Sequence, residues 1–174
     1  MNRWYALAVH VRSEASAAAE VATRVDEVFL PVRRERRAWS DRIKTAELPL
    51  FPAYLFVRLA LDATSRVALL RCKHVVEGVG RLPGDGRIAR AIPDHEIEAL
   101  RILVDADRAL DPIERLVPGR HVLVGAGPLR GARGVVEHGP DGQRRLVVQI
   151  ALLGRGVRTV LRADDVVESV EQAA

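Results

Sequence analysis

The strongest constraint on the fold is a change of pattern near Leu116. Beyond it, every apolar run is short and is broken by glycine or by a turn such as Gly139-Pro140-Asp141-Gly142. Five short strands in roughly 55 residues is the rhythm of a small β-barrel. The predicted strands are residues 121–124, 134–138, 145–150, 157–161 and 166–167. We therefore expect residues 117–174 to form a five-stranded barrel.

The first half of the chain mixes strand and helix patterns instead. Alternating apolar residues predict strands at 4–11, 28–30, 54–59 and 75–82. Helical spacing predicts helices at 13–25 and 66–71 and from Asp94 onward, with Ser13 and Asp94 as N-caps. After the helix that begins at Asp94, the helical periodicity is lost over a charged stretch that contains proline. We expect an α+β chain with a first domain over 1–104, a linker over 105–116 and a second domain over 117–174.

Charge and cysteine content narrow the class of protein. The net charge is +4, and the chain up to Val104 carries 17 basic and 13 acidic residues, whereas the remainder is neutral. A modest basic surplus in the first half suits an acidic partner such as a phosphate backbone. The single cysteine, Cys72, excludes an intrachain disulfide and is typical of a reducing cytoplasm. The apolar run 4–9 is too short for a signal peptide or membrane span, so we expect a cytoplasmic protein.

Three aromatic residues lie within six positions, although aromatics make up only 4% of the chain. They are Phe51, Tyr54 and Phe56. In a strand, Tyr54 and Phe56 face away from Leu55 and Val57, which the helices should cover. We therefore expect an exposed aromatic patch that Tyr5 extends and that binds a partner. The alternative is that these rings are core.

A run of basic residues surrounds Trp39. Its cations are Arg33, Arg34, Arg36, Arg37, Arg42 and Lys44. The run has no helical period, which predicts a hairpin or loop. Guanidinium groups bind phosphates in a bidentate manner, and an indole can stack on an unpaired base, so we expect nucleic-acid binding. The alternative is a solvated hairpin on which Trp39 packs.

Two adjacent leucines precede a tight turn in the second half. Leu152 and Leu153 stand directly before Gly154 and Arg155. A small barrel has little room to bury such a pair, so we expect an exposed contact for a second protein. The alternative is that the leucines form the edge of the barrel core.

The sequence contains no recognisable catalytic motif. It lacks a phosphate-binding loop, a dinucleotide glycine fingerprint and a nucleophile elbow. Its five histidines are scattered, and none has metal-ligand spacing to another histidine or to Cys72. We expect a binding protein without metal or cofactor rather than an enzyme.

Short motifs follow one another in order along nearly the whole chain. The first half carries Trp4-Tyr5-x-Leu7, Val28-Phe29-Leu30-Pro31, Phe51-Pro52-x-Tyr54, Gly78-Val79 and Ile92-Pro93-Asp94. The second carries Gly119-x-x-Val122, Gly127-Pro128-Leu129, Gly131, Gly134-Val135-Val136 and Leu153-Gly154-Arg155. This ordered set resembles the NusG family of transcription elongation factors. Residues 33–52 look closer to the specialised antiterminator paralogues of the RfaH, LoaP and UpxY type. Ala53 departs from the family, which usually has glycine there.

The resemblance implies both a fold and a mechanism. The NusG N-terminal (NGN) domain would be an antiparallel four-stranded sheet with helices, followed by an SH3-like KOW barrel. The NGN domain would bind the clamp helices of RNA polymerase and suppress pausing or termination. Its contact residues would be Tyr5, Phe51, Pro52, Tyr54, Phe56, Val79 and Ile92.

The same resemblance implies the remaining partners. The arginine-rich segment would lie near non-template or upstream DNA, and the KOW domain of a monomeric factor would recruit the ribosomal protein NusE or Rho. A different class stays open, that of an RNA-binding or ribosome-associated KOW protein without polymerase binding. Such a protein should concentrate its basic residues in the barrel, yet the second half is neutral.

Overall fold

The computed structural model describes residues 1–38, 43–76, 82–85 and 88–170. Within these residues the chain divides into two compact units, Met1–Pro93 and Asp94–Ala174. The fold is mixed α+β, as predicted, with antiparallel sheets and three helices among the described residues.

The first unit is built on a three-stranded antiparallel sheet. Its strands are β1 (Arg3–Ala8), β2 (Glu27–Phe29) and β5 (Tyr54–Leu59), in the order β1-β5-β2. The central position of β5 explains why Leu55, Phe56 and Val57 are all buried. The expected fourth strand, residues 75–82, is described only in part: Val75 bridges to Val9, and residues 77–81 lie outside the described part.

Two helices, α1 (Glu14–Val21) and α2 (Ala63–Leu70), accompany the sheet. Leu7, Leu55, Val57 and Leu59 share a core with buried residues of both helices. The predicted cap at Ser13 is wrong in detail, since its side chain makes no capping hydrogen bond. The stronger cap is Asp62, which forms a reciprocal capping box with Ser65 and starts α2 earlier than predicted.

The arginine-rich segment is a β-hairpin. Its strands are β3 (Val32–Ala38) and β4 (Ile43–Pro49), paired from Val32 with Pro49 to Ala38 with Ile43. A second, very short hairpin pairs β6 (Gly84–Asp85) with β7 (Ile88–Ala89).

The second unit begins with α3 (Asp94–Asp105) and continues as a six-stranded antiparallel sheet. The strands are β8 (Asp111–Ile113), β9 (His121–Val124), β10 (Arg133–His138), β11 (Arg144–Ile150), β12 (Arg155–Val160) and β13 (Val167–Ser169). Their order is β13-β9-β10-β11-β12-β8, and a 3₁₀ turn, Ala151–Leu153, joins β11 to β12. This is the predicted small barrel-like domain with one additional strand.

The division of the chain differs from the predicted one. Helix α3 contacts β10 and β11 and groups with the barrel rather than with residues before it. The stretch expected to be an open linker contains β8, which pairs with β12. Backbone pairing at Asp111–Ile113 therefore makes the linker interpretation wrong for that part of 105–116. Independent folding of the two domains stays a prediction.

None of the helices in the described residues is long and apolar enough to cross a membrane.

Candidate interaction surfaces

The turn before β5 holds Phe51 to Tyr54. The Tyr54 N–H donates to the Phe51 carbonyl over 3.0 Å, and Ala53 at the third position has φ of 68°. A turn with positive φ at its third position is type II, which favours glycine there. Ala53 N–H donates to Glu14 Oε1 at 3.0 Å, and its carbonyl accepts from Val9 N–H at 2.9 Å. These contacts hold the turn against β1 and α1 despite the unfavourable residue.

The expected aromatic patch is largely core. Phe51 is 1% exposed and Phe56 0%. Their rings meet edge to face with centroids 5.4 Å apart, and Phe29 lies 6.3 Å from Phe56 on the other side. Ile92, which bridges to Trp4, is also buried. The prediction that Phe51 and Phe56 are exposed is therefore wrong. In this conformation, burial excludes direct partner contact by the side chains of Phe51, Phe56 and Ile92.

Tyr5 lies on the opposite face from the one predicted. It pairs with Val57, whereas Ala8 pairs with Tyr54 and Ala6 with Phe56. The Tyr5 ring packs against the core that the helices share. It therefore cannot extend a patch around Tyr54, because successive residues of a strand face opposite sides.

The surface that stays accessible around this turn is small. Pro52 is exposed and Tyr54 half-buried, while Val79 lies outside the described residues. The rings of Phe51 and Phe56 support the turn from behind, so they position this surface without forming it.

The basic hairpin presents cations on two faces. Arg34 and Arg36 share one face with Thr45 and Glu47, whereas Arg33 and Lys44 lie on the other, since the register pairs them with Leu48 and Arg37. Arg34 and Glu47 form an ion pair at 3.7 Å with side chains 73% and 61% exposed. Such an exposed ion pair contributes little to stability, so Arg34 can release Glu47 and bind another anion. The Arg37 side chain, Trp39 and Arg42 lie outside what the structure describes.

The leucine pair of the barrel is half-buried. Leu152 and Leu153 occupy the 3₁₀ turn before Gly154, whose φ is 63°, and Arg155 starts β12. Gly154 is required for its backbone conformation, since a Cβ there would meet no atom within 4 Å. The pair is neither full core nor fully exposed, so part of each side chain is available to a partner.

A cavity of about 410 Å³ lies in the second unit between α3 and the barrel. Its lining includes His95, Glu96, His121 and Arg133 over apolar residues such as Val135. Glu96 accepts a hydrogen bond from Ala151 N–H at 3.3 Å, and burial raises the pKa of its carboxyl to about 7. The sequence analysis missed Glu96, because a glutamate in the first turn of a helix is ordinary.

The same unit contains a buried ion pair. Arg108 binds Asp165 with side chains 4% and 0% exposed, and Asp165 also accepts from Arg162 N–H at 2.8 Å. Burial alone would raise the pKa of Asp165, but these hydrogen bonds lower it below its ordinary value. The pair was not predicted, since neither residue stands out in the sequence.

Among the described ranges, no cluster of three or more histidine, cysteine or carboxylate side chains could hold a metal ion. The candidate interaction surfaces that stay accessible are the Phe51–Tyr54 turn, the basic hairpin and the half-buried leucine pair.

Comparison with known proteins relates this arrangement to one family. A family model described as NusG, transcription termination factor nusG, matches residues 2–101. NusG from Thermotoga maritima is similar over 98% of each chain, with 19% identity and a TM-score of 0.56. The MjSpt4:Spt5 complex in conformation B is 19% identical over 97% of each chain, with a TM-score of 0.31. No curated protein matches this chain.

Proposed function

Because this chain belongs to the NusG family and is thereby a transcription elongation factor, we propose that it binds the clamp helices of RNA polymerase through its first unit. We further propose that it suppresses pausing or termination in the manner of an antiterminator. The observation that carries the proposal is the family match over residues 2–101, which includes the Phe51–Tyr54 turn and the basic hairpin.

The polymerase contact centres on Tyr54 and Pro52. Tyr54 is half-buried, so its ring has a defined position but keeps an accessible edge. A ring with one polar tip suits a protein interface, because it supplies contact area at low entropic cost. Phe51 and Phe56 hold the turn in place from the core. Holding the clamp closed would disfavour the opened, paused states, which requires only differential binding of the two states.

The hairpin follows non-template or upstream DNA. Arg34 and Arg36 are exposed on one face of it, and the weak Arg34–Glu47 pair can be replaced by a phosphate contact. The resemblance of residues 33–52 to specialised paralogues supports an operon-specific antiterminator within the family.

The barrel recruits a second factor through Leu152, Leu153, Gly154 and Arg155. The ribosomal protein NusE and Rho are the two candidates, and an antiterminator would favour the former. Changing both leucines to Ser should weaken this capture. No step of the proposed mechanism requires a catalytic group, and the proposed site of action is the cytoplasm.

The test is a paired measurement on Tyr54→Ala. Loss of an interface hot spot costs about 2 kcal/mol or more, which is roughly a thirtyfold loss of affinity for a clamp-helix fragment. Pause lifetimes in a purified transcription assay should return to those without the factor. The matched control is Tyr5→Ala, which truncates the same side chain on the opposite face and should lower stability while leaving affinity intact.

A wild-type chain that fails to bind polymerase and instead retains structured RNA would overturn the proposal in favour of an RNA-binding KOW protein. Unchanged polymerase affinity in Tyr54→Ala would instead move the contact to another part of the first unit.

A further inference from the structure

Residues 111–118 begin as the edge strand β8 beside β12 and continue to Val117, which packs on the outer face of the barrel sheet. We call this segment the strap. The outer face carries Val135 on β10 and Val147 on β11, which pair directly with each other. Val148, next to Val147 on β11, faces the barrel interior instead. Ile113 and Val117 of the strap join Val135 and Val147 in a small apolar cluster. The barrel thus has a second apolar surface outside its core, and its own chain covers it.

The strap is a strand over Asp111–Ile113 and bends at residues 114–115. Asp111, Ile113, Arg115 and Val117 all make contacts with the barrel. The residues between them include Glu114, which is exposed, and Leu116, which is 46% exposed. Pro112 lies in β8, and its missing N–H is tolerated because β8 is an edge strand.

A side chain takes the place of a neighbouring strand at Val117. The Val117 N–H donates to Gln149 Oε1 at 2.6 Å, and Gln149 Nε2 donates to the Val117 carbonyl at 3.2 Å. Gln149 interrupts the apolar run of β11 and pairs with Gly156, where a Cβ would lie 2.7 Å from the Val148 carbonyl oxygen. This carboxamide clasp would accept any extended backbone in the same position.

Charged side chains also join the strap to the barrel. Arg115 binds Glu137 at 2.6 Å, and Arg158 binds Asp111 at 2.6 Å and Glu137 at 3.4 Å. The hydrogen bond from Arg115 lowers the pKa of Glu137, so Glu137 carries its negative charge at neutral pH. Several of its side chains are partly exposed, which makes each pair weak and sensitive to salt.

The contacts that hold the strap are local. The backbone of β8 pairs with β12, Val117 shares two hydrogen bonds with Gln149, and two aliphatic side chains and two partly exposed ion pairs, Arg115–Glu137 and Asp111–Arg158, complete the attachment. The conformational entropy lost in ordering eight residues of chain opposes these contributions. Without the strap, the β12 edge would be open, and the strip formed by Val135 and Val147 would be bounded by the α3 residues that line the same cavity. An open strand edge beside an apolar strip is the usual template for adding a strand from another chain.

We propose that the strap is the displaceable occupant of a strand-binding site on the outer face of the barrel. The site accepts a segment of a partner protein that pairs with β12 as a short strand and carries an acidic residue, an aliphatic, a basic residue and a second aliphatic at alternate positions. This is the chemistry that Glu137, Gln149, Arg158 and the valine strip complement. The site lies outside the Leu152–Arg155 surface and does not depend on polymerase binding.

The experiment uses the full chain and a fluorescent peptide with the sequence of residues 109–119. Ile113→Ser combined with Val117→Ser should loosen the strap and raise peptide affinity at least tenfold over wild type. A peptide with the same two serines should not bind. Gln149→Ala added to the loosened chain should remove the gain. Equal binding to wild type and loosened chain, or none to either, would overturn the proposal.

A second variant guards against unfolding of the first. Asp111→Asn combined with Arg115→Gln removes the ion pairs but keeps both aliphatic side chains. Exchange of the Val117 amide hydrogen should accelerate at least tenfold in this variant, and in wild type at high salt, while amides of β11 stay protected. Unchanged exchange at Val117 would make the strap a permanent part of the barrel. Polymerase is absent from both assays, so they can fail or succeed independently of the proposed function.

Discussion

Both oxygens of the Asp165 carboxylate bind the guanidinium of Arg108, with Arg108 Nη2 3.2 Å from Asp165 Oδ1. Arg108 also donates to the Val160 carbonyl at 3.3 Å, and Thr159 Oγ1 donates to the Ala109 carbonyl at 3.0 Å. The chain that leaves α3 is therefore fastened to β12 and to the segment before β13. A stretch expected to be an open linker is instead an integral part of the second unit.

Removing one member of the Arg108–Asp165 ion pair should lower the free energy of unfolding. Asp165→Ala leaves the Arg108 charge buried without its carboxylate, which typically costs about 3–5 kcal/mol of unfolding free energy. The control is Asp164→Ala, because Asp164 is 60% exposed and lies 3.8 Å from the same guanidinium. That change should cost less than about 1 kcal/mol. Urea unfolding of the full chain checks both, and equal losses would contradict the assigned role of Asp165.

The Phe51–Tyr54 turn offers a stabilising change. Ala53 holds φ of 68°, where a non-glycine residue is strained by about 1 kcal/mol or more. Ala53→Gly removes this strain but loosens the unfolded chain, so we expect a net gain of about 0.5 kcal/mol. Ala19→Gly is the control, because Ala19 is exposed in α1 and the change should cost about 0.5–1 kcal/mol. Thermal unfolding of the two variants should shift in opposite directions. A loss of stability in Ala53→Gly would mean that the Cβ makes contacts worth more than the strain.

The two halves of the chain differ in how much of their structure the sequence predicts. The glycine turns and short apolar runs indicate the barrel, because both signals are local. The burial of Phe56 was not predictable, since alternation places it opposite Leu55 but says nothing about what covers that face. Proline and charge in 111–118 are typical of a linker. Pairing with β12 makes Asp111–Ile113 a strand, and Gln149, Glu137 and Arg158 also hold the segment, all of them partners distant in sequence.

Glu96 should make stability depend on pH near neutrality. Its folded-state pKa of about 7 lies above the ordinary value of 4.5, so the folded chain binds a proton that the unfolded chain has lost. The contribution of the neutral carboxyl is therefore fully present below pH 4.5 and is lost as the pH rises to about 7. Because the group is partly solvated, we expect a loss of about 1–2 kcal/mol.

Glu96→Gln should flatten that dependence, because the amide keeps the acceptor for Ala151 N–H and cannot ionise. The ionisable residues that line the cavity beside Glu96, His95, His121 and Arg133, are unchanged in the variant. Glu98→Gln is the control on the exposed side of α3 and should retain the wild-type slope. Urea unfolding from pH 4 to 8 measures all three chains. Parallel curves for wild type and Glu96→Gln would assign any slope to another group.

The two faces of the basic hairpin make a direct test of DNA contact possible. Arg34→Gln with Arg36→Gln removes two exposed cations from one face, and Arg33→Gln with Lys44→Gln removes two from the other. The net charge changes equally in both pairs, so a difference between them cannot come from long-range attraction alone. Each lost phosphate contact should reduce the slope of log affinity against log salt by about 0.7–0.9. We expect a reduction of about 1.4–1.8 for the Arg34 and Arg36 pair and a smaller one for the other pair. The measurement is binding of a labelled DNA bubble over a range of salt concentrations. Equal reductions would indicate that DNA contacts both faces, and unchanged slopes in both would leave the hairpin as a solvated or protein-binding element.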